Sequence, residues 1–209
     1  MLLRAPSQKL DSLAAFHPAV REWFRAALGD PTLAQELAWP HIANGETTLL
    51  LAPTGSGKTL AAFLSAIDRL AQEPRSEADP RSKLRVLYVS PLKALAVDVE
   101  RNLRAPLAGV WEAAARLGTP LRRLEVAVRT GDTPTSERAK MLRAPPDILI
   151  TTPESLYLLL TSAQRELLAS VDTVIVDEIH QMAATAKSIR TARGLLPTSA
   201  RRPCEHCPR

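Results

Sequence analysis

Short apolar runs alternate along this chain with longer stretches whose apolar residues recur at helical spacing. Residues 47–52 (TTLLLA) form a β-branched run, long enough for a buried parallel strand. Residues 84–90 (LRVLYVS), 147–152 (DILITT) and 173–176 (TVIV) read as further strands. Residues 124–129 alternate Leu, Val and Val with Glu, Ala and Arg, which predicts a strand with one face less buried. The intervening stretches are helical. Val20, Trp23, Phe24, Ala27 and Leu28 make a stripe ended by Gly29-Asp30-Pro31, with Trp23 and Phe24 expected in the core. Thr32 is placed to cap a second helix that ends or kinks near Pro40. Leu60, Phe63, Leu64 and Ile67 recur at i, i+3, i+4 and i+7. Helical segments cover residues 91–117, interrupted at Pro106, then 134–143, then the stretch from Pro153. The polar, Pro-containing stretch 72–83 reads as an exposed loop. Strands alternating with helices predict the α/β class: a parallel sheet with helices on both faces.

The candidate chemistry starts where the first run meets its helix. Pro53 to Gly57 supplies a turn with two glycines, and Lys58-Thr59 opens the helix. This is the P-loop arrangement, with Ala52 in place of its first glycine. Glycines at 55 and 57 let the N–H groups of Thr54, Gly55, Ser56 and Gly57 curl around phosphate oxygens, and the helix N-terminus favours their negative charge. Lys58 is placed to reach the β/γ-phosphates, and the Thr59 hydroxyl to ligate Mg²⁺. The last apolar run ends in Asp177-Glu178. An acidic pair at a strand end can face a bound nucleotide. Asp177 can hold Mg²⁺ through water, and Glu178 can take a proton from the water attacking the γ-phosphate. Alone the pair would read as a solvated acidic turn; a P-loop on an earlier strand changes that.

Three helix starts share a design. Ser90-Pro91, Thr133-Pro134 and Thr152-Pro153 each put a hydroxyl residue before a proline at the first helical position. The first and third follow strands directly, so their N-termini are expected at the carboxyl edge of the sheet, where α/β ligands bind. From spacing alone, contact with a phosphate backbone and ordinary helix capping are equally compatible with this pattern.

Length and charge narrow the picture. At 209 residues the chain suits one domain, or one and a half. No apolar run approaches the ~20 residues of a membrane span, and no secretory signal core opens the sequence, so the cytoplasm is the expected location. The net charge of +5 sits wholly in residues 181–209, where six basic residues face Glu205 alone; residues 1–180 balance. Charge therefore says nothing about partners of the folded part. Both cysteines, Cys204 and Cys207, lie in the same tail, which excludes a disulfide framework in the body.

The motifs carry a resemblance. APTGSGKT at 52–59 and DEIH at 177–180 resemble motifs I and II of superfamily 2 helicases. SPLKAL at 90–95 is similar to motif Ia, RTGDT at 129–133 to motif Ib, and TTPES at 151–155 to motif Ic. With PTLAQELAWPHI at 31–42, their wording is most similar to the Lhr (large helicase-related) family across residues 13–180. The resemblance implies a RecA-like first motor domain that binds ATP and Mg²⁺ and couples hydrolysis to strand separation. It implies that Gln35 reads adenine, with Phe16 as the associated stacking aromatic. It implies that Lys93, Thr130, Gly131, Thr152 and Ser155 contact a DNA or RNA backbone without regard to sequence and with sensitivity to salt. His180 is expected to couple the nucleotide site to a neighbouring domain.

The pattern stops after His180. Residues 1–12 read as an arm, 13–180 as a partial motor domain, and 181–209 as a divergent basic tail. The family continues with a strand carrying a Ser-Ala-Thr motif and a second RecA-like domain with an arginine finger. Thr198-Ser199-Ala200 follows Pro197, and no apolar run leads into it. The strand that is expected and not found belongs between the P-loop strand and the acidic-pair strand. Its loss predicts a gap and two unpaired edges. The tail is expected to be a frameshifted or prematurely ended remnant; half a zinc site at Cys204-Glu205-His206-Cys207, or a flexible basic tail, are the rival readings. A motor without its arginine finger is expected to hydrolyse ATP poorly, since such fingers contribute roughly 10³–10⁵ in rate. The alternative is a non-catalytic product that is unstable or only binds nucleic acid. A P-loop kinase or GTPase fits the acidic box and the Gln35 region less well.

Overall fold

A computed structural model describes residues 11–73 and 83–183. Expectations for the N-terminal arm up to residue 10, for most of the 72–83 loop and for the tail beyond residue 183 lie outside these residues.

Among the described residues, four parallel strands form the sheet: β1 (Val86–Val89), β2 (Val126–Arg129), β3 (Ile148–Thr151) and β4 (Thr173–Val176), in the order β2-β3-β1-β4. β1 and β3 are buried at every position, which explains their uninterrupted apolar sequence. β2 and β4 are the edges of the described sheet and are less buried, as the alternation in 124–129 predicts for β2. The described residues hold seven helices: α1 (Pro18–Leu28), α2 (Leu33–Ala43), α3 (Lys58–Gln72), α4 (Lys93–Arg116), α5 (Thr135–Arg143), α6 (Pro153–Leu160) and α7 (Ile179–Ala183). One sheet face, through Val86, Tyr88, Ile148 and Ile150, packs on Phe63, Ile67 and Leu70 of α3 and on Val99 and Leu103 of α4. The other face, through Leu87, Val89 and Leu149, packs on Leu159 of α6 and on Leu167 and Leu168 of a following 3-10 turn. The helices on both faces match the fold class expected from the sequence. No helix among the described residues is long and apolar enough to cross a membrane.

α1 and α2 pack beside the phosphate-loop helix. α2 lies on α3, where the buried Trp39 indole donates to the carbonyl of Ala61 at 3.1 Å. Phe16 and Phe24 both set their rings edge-on against Trp39. Phe16 is therefore a core residue whose ring packs on Trp39. Phe24 is in the core as expected, whereas Trp23 is only partly buried and faces a cavity.

Three local expectations need correction. Residues 47–52 form no strand, and Leu49 and Leu51 are 69% and 80% exposed. A strand exists only by pairing, and no described strand lies beside this run. β4 is the other edge of the described sheet, with Val174 and Val176 exposed, and the stretch in which a further strand was sought lies outside the described residues. Pro106 lies inside α4 without interrupting it, whereas α2 ends at Ala43, near Pro40 as expected. Burial of Pro106 and its neighbours against the core outweighs the lost backbone hydrogen bond. Of the three proline-led helix starts, only Thr152-Pro153 is built as expected. α4 begins after Leu92, and α5 begins after Pro134, with no side-chain cap at either.

The amino edge of the sheet is locked by ion pairs. The buried Asp147 carboxylate accepts from Arg122 Nη1 at 2.7 Å and from the Glu125 N–H at 2.7 Å, and Arg122 also donates to the carbonyls of Leu70 and Glu73. Asp172 receives both Arg69 and Arg85. Burial alone would raise the Asp172 carboxyl, but the hydrogen bonds from Arg69, Thr173 and Arg85 hold it below the usual aspartate value. Arg122→Met leaves Asp147 buried and unpaired. The expected loss is roughly 3–5 kcal/mol of unfolding free energy, read as a lowered urea midpoint. An unchanged midpoint would contradict this account of the edge.

Candidate functional site

The phosphate loop is shaped by two left-handed glycines, Gly55 (φ 81°) and Gly57 (φ 79°). A Cβ added to Gly57 would stand 2.5 Å from Gln35 Nε2, so glycine is required there by both backbone and space. The loop is gripped from α2. Thr32 and Gln35 form a capping box, in which Gln35 Oε1 accepts from the Thr32 N–H at 2.9 Å. The same two side chains hold the loop: Thr32 Oγ1 donates to the Ser56 carbonyl at 2.8 Å, and Gln35 Nε2 donates to the Gly57 carbonyl at 3.4 Å. Lys58 opens α3 and folds its ammonium onto the carbonyls of Ala52 and Pro53, at 2.5 and 2.8 Å. The Ser56 hydroxyl is buried without a partner. A lysine at a helix start, behind a turn curled by two left-handed glycines, suits an anion such as a phosphate.

The acidic pair reaches the same place from β4. The Asp177 N–H continues the ladder to Val89. Its carboxylate accepts from the Glu178 N–H at 2.9 Å and, through the other oxygen, from the Tyr88 hydroxyl. Burial, then the hydrogen bond to Asp177, push the Tyr88 phenol well above its usual value, so it stays a donor. The Tyr88 hydroxyl also neighbours the Thr59 side chain. Glu178 holds φ at 47°, an uncommon conformation for a side-chain-bearing residue and one that recurs at working sites. His180 Nε2 lies 3.3 Å from its carboxylate.

These groups meet in one cavity of about 600 Å³. Thr54, Gly55, Gly57, Lys58 and Thr59 line it from the loop, and Asp177 and Glu178 from the far end of the described chain. Trp23, Leu28, Val99 and Leu103 supply apolar wall. Gln35 and Ser56 do not line it; Gln35 is 3% exposed beneath the loop.

The five residues expected at a nucleic-acid backbone gather at the carboxyl edge of the sheet. Lys93 Nζ pairs with Asp132 at 2.8 and 2.9 Å, bridging the start of α4 to the turn after β2. That turn is tight: the Thr130 N–H donates to Thr133 Oγ1 at 2.9 Å, and Arg138 Nη2 donates to the Gly131 carbonyl at 2.7 Å. Lys93 and Gly131 are exposed. Thr130, Thr152 and Ser155 are buried, and Thr152 caps α6 by accepting from the Ser155 N–H. Their side chains are thus engaged with the protein, leaving mainly backbone to face a ligand. Sequence reasoning passed over Tyr88, Asp132 and Arg138. Tyr88 carried a signal, since a tyrosine inside a buried strand needs a partner for its hydroxyl.

Comparison with known proteins agrees with this geometry. The DEAD/DEAH box helicase family model matches residues 32–202, so the match runs past His180, where the motif resemblance was read to stop. The chain is 58% identical over 185 residues to the Lhr helicase/probable uracil glycosylase of Mycolicibacterium smegmatis, covering 88% of this chain and 12% of that protein. It is 52% identical over 196 residues to the Lhr helicase/uracil glycosylase of Escherichia coli, covering 90% of this chain and 13% of the relative. The chain thus spans about an eighth of these relatives' length. The structure of Mycobacterium smegmatis helicase Lhr bound to ssDNA and AMP-PNP superposes with a TM-score of 0.80 at 55% identity, over 90% of this chain and 24% of that one. The fold is the RecA-like helicase fold, and the chain belongs to the DEAD/DEAH box helicase family, with high identity to Lhr helicases.

Gly57→Ala tests the grip of α2 on the loop. A side chain at left-handed φ, driven into Gln35, is expected to cost roughly 2–3 kcal/mol, read as a lowered urea midpoint. A variant as stable as the parent would show that the loop is not held this way.

Proposed function

We propose that this DEAD/DEAH box helicase chain forms a nucleotide-driven motor lobe: it binds ATP with Mg²⁺ between its P-loop and its acidic pair, and it holds a nucleic-acid strand along the carboxyl edge of its sheet. The observation that carries this reading is the shared cavity, in which Thr54, Gly55, Gly57, Lys58 and Thr59 meet Asp177 and Glu178 from the far end of the described chain. In this reading Lys58 exchanges its contacts with Ala52 and Pro53 for nucleotide phosphates. The Thr59 hydroxyl, and the Asp177 carboxylate through water, would hold Mg²⁺, which would neutralise charge on the phosphates. Tyr88 fixes the Asp177 carboxylate by its hydrogen bond. Glu178 orients and deprotonates the attacking water. Gln35 keeps the loop in place, and contact with adenine requires its amide to leave Thr32 or Gly57.

The strand side rests on Lys93 and Gly131, with the backbone around Thr130, Thr152 and Ser155. Contacts to phosphate and sugar of this kind do not read sequence, and they weaken with salt. The solved Lhr relative is bound to ssDNA, which supports single-stranded DNA as the first substrate to test. Hydrolysis coupled to strand separation, in the cytoplasm, is the activity proposed for the whole protein. One observation favours a second reading, a chain that binds nucleic acid without using nucleotide: the run leading into the P-loop is exposed and unpaired, so the cradle lacks its usual strand support.

Thermal melts with and without Mg-ATP separate the two readings. The motor reading predicts a cooperative melt whose midpoint rises by roughly 5–10 °C at about 100 times the dissociation constant. Lys58→Ala should abolish the rise and keep the ligand-free midpoint. Tyr88→Phe should weaken Mg-ATP binding about tenfold with the fold intact. A melt indifferent to Mg-ATP, or a Lys58→Ala chain that responds like the parent, would contradict the nucleotide half.

A further inference from the structure

One wall of the cavity is left over by the nucleotide reading. The phosphate loop and the acidic pair are assigned above, but the apolar wall of Trp23, Leu28, Val99 and Leu103 is not. Leu28 is 51% exposed at the end of α1, and Trp23 is partly buried. Apolar side chains facing an open cavity leave favourable burial unrealised. The same cavity carries two carboxylates, Asp177 and Glu178. Lys58 lines it too, but its ammonium is folded onto the carbonyls of Ala52 and Pro53. The cavity therefore suits a segment in which apolar side chains stand next to a cation.

The chain carries such a segment close by. Residues 1–10 read MLLRAPSQKL, with leucines at 2 and 3, then Arg4, then Lys9, and no acidic residue. The point from which they start is fixed. Arg25 Nη2 pairs with Asp11 at 2.5 Å, and Leu13 is fully buried in one cluster with Phe16, Phe24 and Trp39. Arg25 and Leu28 are three residues apart on α1, so they are neighbours on its surface. The arm thus joins the described chain about one helical turn from the apolar wall. Leu3 lies eight residues before Asp11, a reach of roughly 26–29 Å when extended, against roughly 16 Å for the whole of α1. Reach, starting point, apolar content and charge all fit this cavity.

We propose that residues 2–4 dock in this cavity as an internal plug, with Leu2 and Leu3 on the apolar wall and Arg4 on the Asp177 and Glu178 carboxylates. The competition with nucleotide rests on the nucleotide reading above; the docking itself does not. Arg4 takes the carboxylates that a nucleotide-bound cation would need, and the leucines shield Trp23. Mg-ATP and the arm then compete for one space. The plug weakens the apparent nucleotide affinity in proportion to the fraction of chains that stand open. Because the arm is tethered beside its site, even a weak contact is well populated.

The test uses the full chain with Leu2→Asp and Leu3→Asp together, and separately with Arg4→Glu. Without nucleotide, acrylamide quenching of tryptophan fluorescence reads the docking. The double leucine variant is expected to raise quenching. The rise should vanish in a Trp23→Phe background, which leaves Trp39 and Trp111 as the only tryptophans. Titration with Mg-ATP reads the competition. Both variants are expected to bind Mg-ATP about three- to tenfold more tightly than the parent. If the leucine variant is quenched as the parent is, the plug is overturned, whatever happens to affinity. If quenching rises but neither variant binds Mg-ATP more tightly, the arm does not compete and the plug is overturned as well. Shielding of Trp23 that fades on dilution would assign the segment to a second copy, which also overturns an internal plug. If no form of the chain binds Mg-ATP, the nucleotide reading falls, and the quenching result alone decides the docking.

Discussion

The parallel ladder that seats β1 between β3 and β4 is the constraint on which both sites depend. Its register sets Val89 beside Thr151 on one side and beside Val176 on the other, and β2 follows with Arg129 beside Thr151. All four strands therefore end at one level. The segments that follow them emerge along a single edge: Lys93 after β1, Thr130 after β2, Thr152 after β3 and Asp177 after β4. The same register lets Tyr88 reach across from β1 to Asp177. Slipping one strand by a residue would turn its buried side chains to the opposite face and part these groups. Burial of β1 and β3 on both sides is what makes such a slip expensive.

The phosphate loop is held by a different means. It enters from a run with no ladder, so its geometry rests on side chains of α2, on the lysine folded over its carbonyls, and on the packing of α3 beneath it. The cost is visible at Leu49 and Leu51, which stand in solvent. The loop thus has a firm floor and an unsupported approach, while the acidic pair facing it is fixed by Tyr88 and by the backbone of Glu178. Nucleotide binding would join a side-chain-held half to a ladder-held half.

Much of this was legible in the sequence because the patterns involved are local. Helix periodicity found α1 and α3, Thr32 announced the start of α2, and the P-loop and acidic-pair motifs pointed to a cavity that does contain both. Features set by distant partners were not legible. The run at 47–52 has the composition of a strand, but pairing decides whether it is one. Pro106 looks like a helix break, yet the core it packs against holds α4 continuous. Ser90-Pro91 and Thr133-Pro134 look like Thr152-Pro153, and only the last is used as a cap.

The central claim is that residues 54–59 and Asp177-Glu178 act as one nucleotide site although more than a hundred residues separate them in sequence. Hydrogen–deuterium exchange of the full chain, with and without Mg-ATP, tests it directly. The account predicts that slowed exchange appears together in peptides covering the P-loop and the acidic pair, over the same range of nucleotide concentration. Protection of the P-loop alone, or of neither segment, would contradict it.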